Sequence, residues 1–345
     1  MSRSPRPAAP TARRTAVLVT ALGAVVALSL SACGGSSDAA GASGASSAPG
    51  TVTVGALSNG AATETVLDVP VVQELHDALP ADVKESGQLV IGVGALPSGF
   101  PPLAYVGDDQ KTLTGSEPDI GRLVAATLGL EPVVENSTWE NLFVGIDSGR
   151  SDVGFSNITD TEERKQKYDF ACYRKDELAF EAPADATWTF DGDPSVLAGK
   201  KVAVSSGTNQ ERILLEWQRQ LQAAGQTLDV ERFADTTSTY TALSSGRIDA
   251  NFGPNPTAAY HVTQTKGTPQ ATKIIGTSSG AGASLQGLIC ATTKKDSGLA
   301  EPVAGALNHL ISSGQYAAAL EAWNLSNEAV PTSEVNPPGL PLDDQ

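Results

Sequence analysis

The stretch WENLFVGIDSGRSDVGF, residues 139–155, carries the pattern on which the fold prediction rests. Its apolar residues first recur at helical spacing, Gly149 marks the end of that helix, and Asp152 precedes a short buried-strand run. A similar stretch, ALSSGRIDANF at residues 242–252, repeats the Ser-Gly-Arg-x-Asp core. Two lobes with similar β–α organisation would produce this echo. Chance similarity between two helix-to-strand turns is the alternative.

Strands and helices alternate on both sides of these stretches. Apolar runs at residues 89–95 and 200–207 predict buried strands, and helical periodicity appears at 119–130 and 209–225. Strands that alternate with helices indicate α/β units with mostly parallel sheets. The pattern therefore predicts an α/β protein.

The N-terminus has the features of an export signal. Residues 1–15 hold four arginines and no acid, and an apolar run follows from Ala16 to Leu30. That run has about the length of a signal-peptide core and is short for a membrane span. Small residues precede Cys33, as in the bacterial lipobox, whose cysteine is acylated and becomes the mature N-terminus. An ordinary secretory signal with an incidental cysteine is the alternative.

The next segment is rich in Gly, Ala and Ser up to Gly50, a composition typical of a flexible linker. We therefore expect a lipoprotein signal peptide at residues 1–32 and a flexible tether with a lead-in at 33–84. The expected location is the outer face of the cytoplasmic membrane, with the exported chain anchored there by lipid at Cys33.

Charge and motif content exclude several classes of function. Removal of residues 1–32 would leave 19 Lys+Arg against 39 Asp+Glu, a formal charge of −20. Such a surface repels nucleic acid, so we expect no nucleic-acid partner. No nucleotide-binding or hydrolase signature is present, and we expect no cofactor. No metal site is expected either, because the three histidines are scattered, at His76, His261 and His309.

Two cysteines remain if Cys33 is lipidated. Cys172 and Cys290 would suit a disulfide, because the chain is expected to be exported. Two separate buried thiols are the alternative.

Seven motifs in order resemble the family 3 extracellular solute-binding proteins, the polar amino-acid receptors of ABC importers. The resemblance covers about residues 85–330. Ser116 and Pro118 depart from the family pattern. The matching segments are LVIGVGALPSGFPPLAY (89–105), Gly115 with Glu117 and Asp119, Trp139 to Asp152, Thr161 to Arg164 with Asp169-Phe170, Gly207 to Gln210, Gly246 to Ala250, and Leu310 to Trp323.

The resemblance implies a type II periplasmic-binding-protein-like fold, in which two lobes are joined by two hinge strands. We expect lobe 1 at residues 85–178 plus 286–330, lobe 2 at 179–285, and a frayed tail at 331–345. The hinge crossings are expected near 172–190 and 280–288, which would place Cys172 and Cys290 on neighbouring strands. The implied partners are a small-molecule ligand and an ABC permease in the membrane, and the chain is expected to be a monomer.

The resemblance also implies a clamp for an amino acid or a related small carboxylate. A planar guanidinium suits a carboxylate, so Arg164 is the expected anion ligand, with Ser156, Asn157 and Thr159 on the preceding turn. From the other lobe, Thr208 and Asn209 would offer the N-terminus of a long helix. A surface turn with Arg164 paired to a nearby acid is the alternative.

Four further positions bear on the ligand. Phe100 and Trp139 match family positions that flank it, and each could equally be a core anchor. The Asp that usually holds the ligand ammonium is replaced by Pro254, beside the neutral Asn255. Asn255 would then help to bind the ammonium, or the ligand would lack one. Glu117 and Asp119 are expected to cap their helix.

Two other functions stay open. A periplasmic dehydratase on the same scaffold would need a catalytic acid or base, and Glu140 is the acid to test. A receptor that signals without transport is the other. We expect a binding protein, not an enzyme.

Overall fold

The computed structural model describes residues 50–342. The described helices are α1 (Gln73–Asp77), α2 (Ala81–Ser86), α3 (Ser116–Thr127), α4 (Trp139–Ser148), α5 (Asn209–Ala223), α6 (Thr236–Ser244), α7 (Asn255–Thr265), α8 (Ala300–Ser313) and α9 (Gln315–Ala322). The described strands are β1 (Thr51–Val54), β2 (Thr65–Asp68), β3 (Gln88–Leu96), β4 (Tyr105–Val106), β5 (Leu113–Thr114), β6 (Glu131–Thr138), β7 (Val153–Gly154), β8 (Tyr168–Pro183), β9 (Lys201–Ser205), β10 (Asp229–Phe233), β11 (Ala250–Pro254), β12 (Thr272–Ser279) and β13 (Gly287–Lys294).

A large sheet runs through both lobes in the order β10-β9-β11-β8-β13-β7-β3-β6, with β12 also paired to β8. In the first lobe, β3 is parallel to β6 and β7. In the second lobe, β9 is parallel to β10 and β11. These are the strands that alternate with helices, so the α/β prediction is confirmed for them, whereas β8, β12 and β13 pair antiparallel.

The repeated Ser-Gly-Arg-x-Asp sequence forms the same structure in both lobes. The Asp152 carboxylate accepts a hydrogen bond from the N–H of Val90 on β3 at 2.8 Å. The Asp249 carboxylate accepts one from the N–H of Lys201 on β9 at 2.7 Å. In each lobe the acid therefore lies at the start of the strand two helices further along, β7 or β11, and ties it to the parallel strand β3 or β9. The repeated sequence therefore has the same structural role in both lobes.

Strand β8 is the first connection between the lobes. Its residues up to Asp176 pair with β13, and those from Glu177 onward pair with β12. The chain returns between the end of β12 at Ser279 and the start of β13 at Gly287. Both crossings lie inside the ranges expected from the sequence.

Each lobe has its own hydrophobic core. Buried side chains of the first lobe include Leu89, Ile91 and Phe155, packed under α3 and α8. The second core is built around Phe180, whose ring stacks on Phe252 with centroids 4.3 Å apart. Separate cores allow the lobes to move as units about the crossing strands.

Residues 50–84 differ from the flexible lead-in expected for that part of the chain. Strands β1 and β2 form an antiparallel hairpin, and Val52 and Val54 are buried in the first core. The Gly55 N–H donates to the Asp119 carboxylate at 2.7 Å. The alternating TVTV pattern supplies one apolar face, which the first lobe covers.

The C-terminal segment also differs from the expected frayed tail. Leu340 is buried in the second core and forms a bridge with Thr161 of the first lobe. The Asn336 side chain accepts a hydrogen bond from the Phe170 N–H at 2.9 Å. Residues 331–342 therefore run across both lobes as an ordered strap.

The predicted signal peptide, the lipidation site Cys33 and the tether up to residue 49 lie outside the described residues. Within residues 50–342, no helix combines the length and the apolar character that a membrane crossing requires.

Candidate functional site

A cavity of about 350 Å³ lies between the lobes. The first lobe supplies residues 94–100, 138–140 and 156–157 of its wall. The second lobe supplies residues from three stretches, 205–210, 233–240 and 251–258. A volume in this range is ordinary for a small-molecule site.

Six of the nine predicted binding residues line this cavity: Phe100, Trp139, Ser156, Asn157, Thr208 and Asn209. The other three, Thr159, Arg164 and Asn255, are not on its wall. The side chain of each of the three forms a hydrogen bond to another residue of the protein.

The turn at Ser156 and Asn157 is held in place by hydrogen bonds to other parts of the protein. The Ser156 hydroxyl accepts the Gly94 N–H at 2.9 Å, which ties the turn to β3. Asn157 has a left-handed backbone, with φ of 53°, and its N–H donates to the Glu117 carboxylate. The Asn157 side-chain oxygen accepts from the Arg174 guanidinium at 2.5 Å. The turn therefore presents a preorganised face to the cavity.

The group that holds this turn is a buried ion cluster. Arg174 is 1% exposed and pairs with Glu117 at 3.0 Å and with Glu328. Burial favours the neutral form of Arg174, but the two carboxylates outweigh it and raise the pKa above its ordinary value. The expectation that Glu117 and Asp119 cap α3 is wrong. The Glu117 carboxylate faces Arg174 and Tyr173. The Asp119 carboxylate accepts from the Gly55 N–H and the Trp323 indole. No local pattern indicates this cluster, since its members lie far apart in the chain.

Arg164 links the lobes behind the cavity wall. Its guanidinium donates to the Thr159 carbonyl at 2.9 Å and to the Gly207 carbonyl of the second lobe at 3.2 Å. It also lies 5.4 Å from the ring centroids of Trp139 and Phe143. Burial lowers the pKa of Arg164 to about 10, so the side chain stays charged at neutral pH. Arg164 is not among the residues that line the cavity, and its direct contact with a ligand stays a prediction.

Thr159 and Asn209 meet at one buried acid. The Thr159 hydroxyl donates to the Asp176 carboxylate at 2.7 Å, and the Asn209 amide donates to it at 2.9 Å. Asp176 lies where β8 passes between the lobes, and burial raises the pKa of its carboxyl. Thr159 of the first lobe and Asn209 of the second lobe are therefore joined through Asp176 of the connecting strand β8.

The tip of α5 forms the centre of the second-lobe wall. The Thr208 hydroxyl accepts the Glu211 N–H at 3.2 Å and caps the helix. Thr208, Asn209 and Gln210 all line the cavity. A helix N-terminus carries partial positive charge and free N–H groups, so this tip suits a carboxylate.

Asn255 is not among the residues that line the cavity. Its amide donates to the Glu177 carboxylate at 2.9 Å, away from the cavity wall. Pro254, by contrast, lines the cavity, as does Thr257 on the first turn of α7. No element is predicted from the sequence for the segment that forms α7.

The lobes are in contact around the cavity, so the cleft is closed. The Trp139 indole N–H donates to the Gly207 carbonyl at 3.2 Å. At the opposite rim, the Thr236 hydroxyl donates to the Gly99 carbonyl at 2.9 Å and lies 2.9 Å from the Ser98 hydroxyl.

The ionisable groups on the cavity wall are acidic. Glu140 and Asp235 are the carboxylates among the described lining residues, and no Lys, Arg or His lines it there. Asp235 caps α6, and the Ser238 N–H lowers the pKa of its carboxyl, so it stays ionised. The wall therefore offers two negative groups beside the positive helix tip.

The predicted disulfide between Cys172 and Cys290 is confirmed. The two residues pair directly across β8 and β13. Asp160 lies close to both sulfur atoms. Because each sulfur is bonded to the other, the three do not form a metal site.

A two-lobed α/β fold, with two crossing strands and a closed cavity at the lobe interface, defines the class of solute-binding proteins that clamp small ligands. The comparisons with known proteins agree. Residues 91–326 match the bacterial extracellular solute-binding proteins, family 3, and the chain belongs to this family.

Three relatives illustrate the likeness. The L-cystine-binding protein TcyJ of Escherichia coli (strain K12) is 37% identical over 172 residues, 49% of this chain and 59% of the relative. The arginine-binding protein ArgT of Corynebacterium glutamicum is 26% identical over 269 residues, 77% of this chain and 83% of the relative. An ancestral arginine-binding protein bound to arginine superposes with a TM-score of 0.57 at 25% identity, covering 69% of this chain and 98% of the other. The match to TcyJ thus spans less than two thirds of that relative's length.

Proposed function

We propose that the chain is the lipid-anchored substrate-binding protein of an ABC importer, and that it captures an amino acid or a related small carboxylate between its lobes. The observation that carries this proposal is the closed cavity at the lobe interface, walled by Phe100, Trp139 and the tip of α5. The relatives named for L-cystine and arginine make these two amino acids the first candidates.

The cavity chemistry supports a zwitterionic ligand. The α5 tip favours a carboxylate, and the acids Asp235 and Glu140 favour an ammonium. Phe100 and Trp139 would pack against the aliphatic part of the ligand. Arg164 would support the ligand site indirectly, since it donates a hydrogen bond to the Gly207 carbonyl beside the α5 tip.

A thermal-shift screen of the chain without its signal peptide tests this proposal. L-Cystine, L-arginine and the other common amino acids are added one at a time. A ligand that binds only the folded form raises the melting temperature by mass action. The Trp139→Ala variant is the matched control, because it opens the wall and loses the link to Gly207. A shift that is equal in both proteins would contradict binding in this cavity.

Capture without chemical change is the second part of the proposal. Glu140 lines the cavity, but it is exposed there, and the described wall holds no histidine to act with it. Proton NMR of the ligand after long incubation with the protein should show no new species. Turnover that Glu140→Gln abolishes would instead establish the dehydratase-like alternative.

Anchoring, partner and oligomeric state complete the proposal. In cells that express the full chain, the wild type should fractionate with the membrane, and Cys33→Ser should not. We propose that a monomer delivers its ligand to an ABC permease. Uptake of labelled ligand that depends on both proteins would distinguish transport from sensing.

A further inference from the structure

The start of α7 is an uncapped helix end on the cavity wall. Pro254, Thr257 and Ala258 line the cavity there. No side chain accepts a hydrogen bond from the first turn of α7, and that turn contains no acid. The neighbouring helices differ, because Asp235 caps α6 and Thr208 caps α5. The partial positive charge of α7 is therefore not offset by a side chain on the helix itself.

A buried hydroxyl at the same place has no partner. Thr257 is 7% exposed, and its Oγ1 makes no hydrogen bond to the described residues. A helical threonine often donates to the carbonyl four residues earlier, which here belongs to Gly253, but that bond is not formed. A buried polar group without a partner is costly. Since Thr257 lines the cavity, a ligand atom is its natural partner.

Two amides add donors to the cavity. Gln210 and Asn251 line it, and neither side chain makes a hydrogen bond within the described part of the chain. Asn251 lies on β11, three residues before Pro254. An oxyanion could accept from both amides and from the first turn of α7.

We propose that the α7 end of the cavity holds a carboxylate of the ligand, not its ammonium. The inference rests on the proposed function. Pro254 carries no charge, and the uncapped end of α7 gives this part of the wall a partial positive charge. With the α5 tip as a second carboxylate site, the cargo is an amino-acid-type solute with two carboxylates. Its ammonium groups face Asp235 and Glu140.

The test compares Pro254→Asp with Pro254→Asn. Asp and Asn are both good N-cap residues, so both variants should fold, and they differ in charge at the cavity wall. Isothermal titration is carried out with L-cystine, which has two carboxylates, and with L-arginine, which has one. For L-cystine we expect both variants to bind more weakly than the unaltered protein, because either side chain can cap α7, and Pro254→Asp to bind at least about tenfold more weakly than Pro254→Asn, because only Asp is charged. Thr257→Val should also weaken binding, and L-cystine should bind more tightly than L-arginine.

The outcomes separate the two proposals. If the unaltered protein binds either amino acid and Pro254→Asp binds it as well as or better than Pro254→Asn, the place at α7 takes an ammonium and this inference is overturned. Absence of binding by the unaltered protein to every amino acid of the screen would overturn the proposed function, and this inference with it.

Discussion

Replacing Arg164 by alanine should lower both the stability of the protein and its affinity for ligand. The guanidinium donates to the Thr159 carbonyl within the first lobe and to the Gly207 carbonyl across the cleft. The first bond acts on folding, because it stays within one lobe. The second acts on closure, because it exists only when the lobes meet.

The magnitudes follow from these two bonds. A hydrogen bond from a charged donor contributes about 1.5–3 kcal/mol, so loss of the Thr159 contact should reduce the free energy of unfolding by about 2 kcal/mol. For a chain of this size that lowers the melting temperature by about 3 °C. The Gly207 bond is exposed and longer, and we assign it about 1 kcal/mol, or about fivefold in the ratio of closed to open protein.

Urea unfolding of the ligand-free protein and calorimetric titration with its ligand measure the two effects. Arg150→Ala is the matched control, because Arg150 forms an exposed ion pair with Glu135 at 3.4 Å. That pair should contribute less than about 1 kcal/mol. If Arg164→Ala unfolds at the same urea concentration as Arg150→Ala yet loses its affinity by more than about a hundredfold, Arg164 contacts the ligand directly and the reasoning is refuted.

Three further predictions concern stability and closure. Burial raises the pKa of the Asp160 carboxyl to about 7, so the folded form binds this proton more tightly than the unfolded chain, and stability falls as pH rises from about 4 to about 7. Urea unfolding at pH 5 and pH 8 measures the resulting difference in unfolding free energy, and Asp160→Asn should reduce that difference by about 2–4 kcal/mol. An unchanged difference would contradict the assignment. The double variant Cys172→Ser with Cys290→Ser should lose about 3–5 kcal/mol of unfolding free energy, because the disulfide closes a loop with a sequence separation of 118; equal stability of the variant and the unreduced wild type would oppose this. Thr236→Val should weaken ligand binding about fivefold in calorimetry without changing the urea midpoint, because its bonds join the rims of the cleft; Thr237→Val, exposed on the same helix, is the control and should have no effect.

Much of the fold could be predicted because its signals are local. The periodicity of 209–225 indicated α5, and the two Ser-Gly-Arg-x-Asp stretches indicated matching turns, each closed by the acid at Asp152 or Asp249. The ordered strap at 331–342 was missed, since its burial depends on both lobes being in place.

The site was predictable in part for the same reason. The turn at Ser156 and Asn157 and the α5 tip at Thr208 are local features, and the structure places all three on the cavity wall. The partners of Arg164 were not predictable, because a motif gives the position of a guanidinium but not the carbonyls that come within its reach. The support of Asn157 by Arg174 likewise depends on contacts between distant parts of the chain.

The most direct measurement is a crystal structure of the protein grown with the amino acid that gives the largest thermal shift. We predict density for that ligand in the cavity between the lobes, with a carboxylate at the tip of α5 beside Thr208 and Asn209. Density for the ligand outside this cavity, or an ammonium in place of a carboxylate at the α5 tip, would contradict the account.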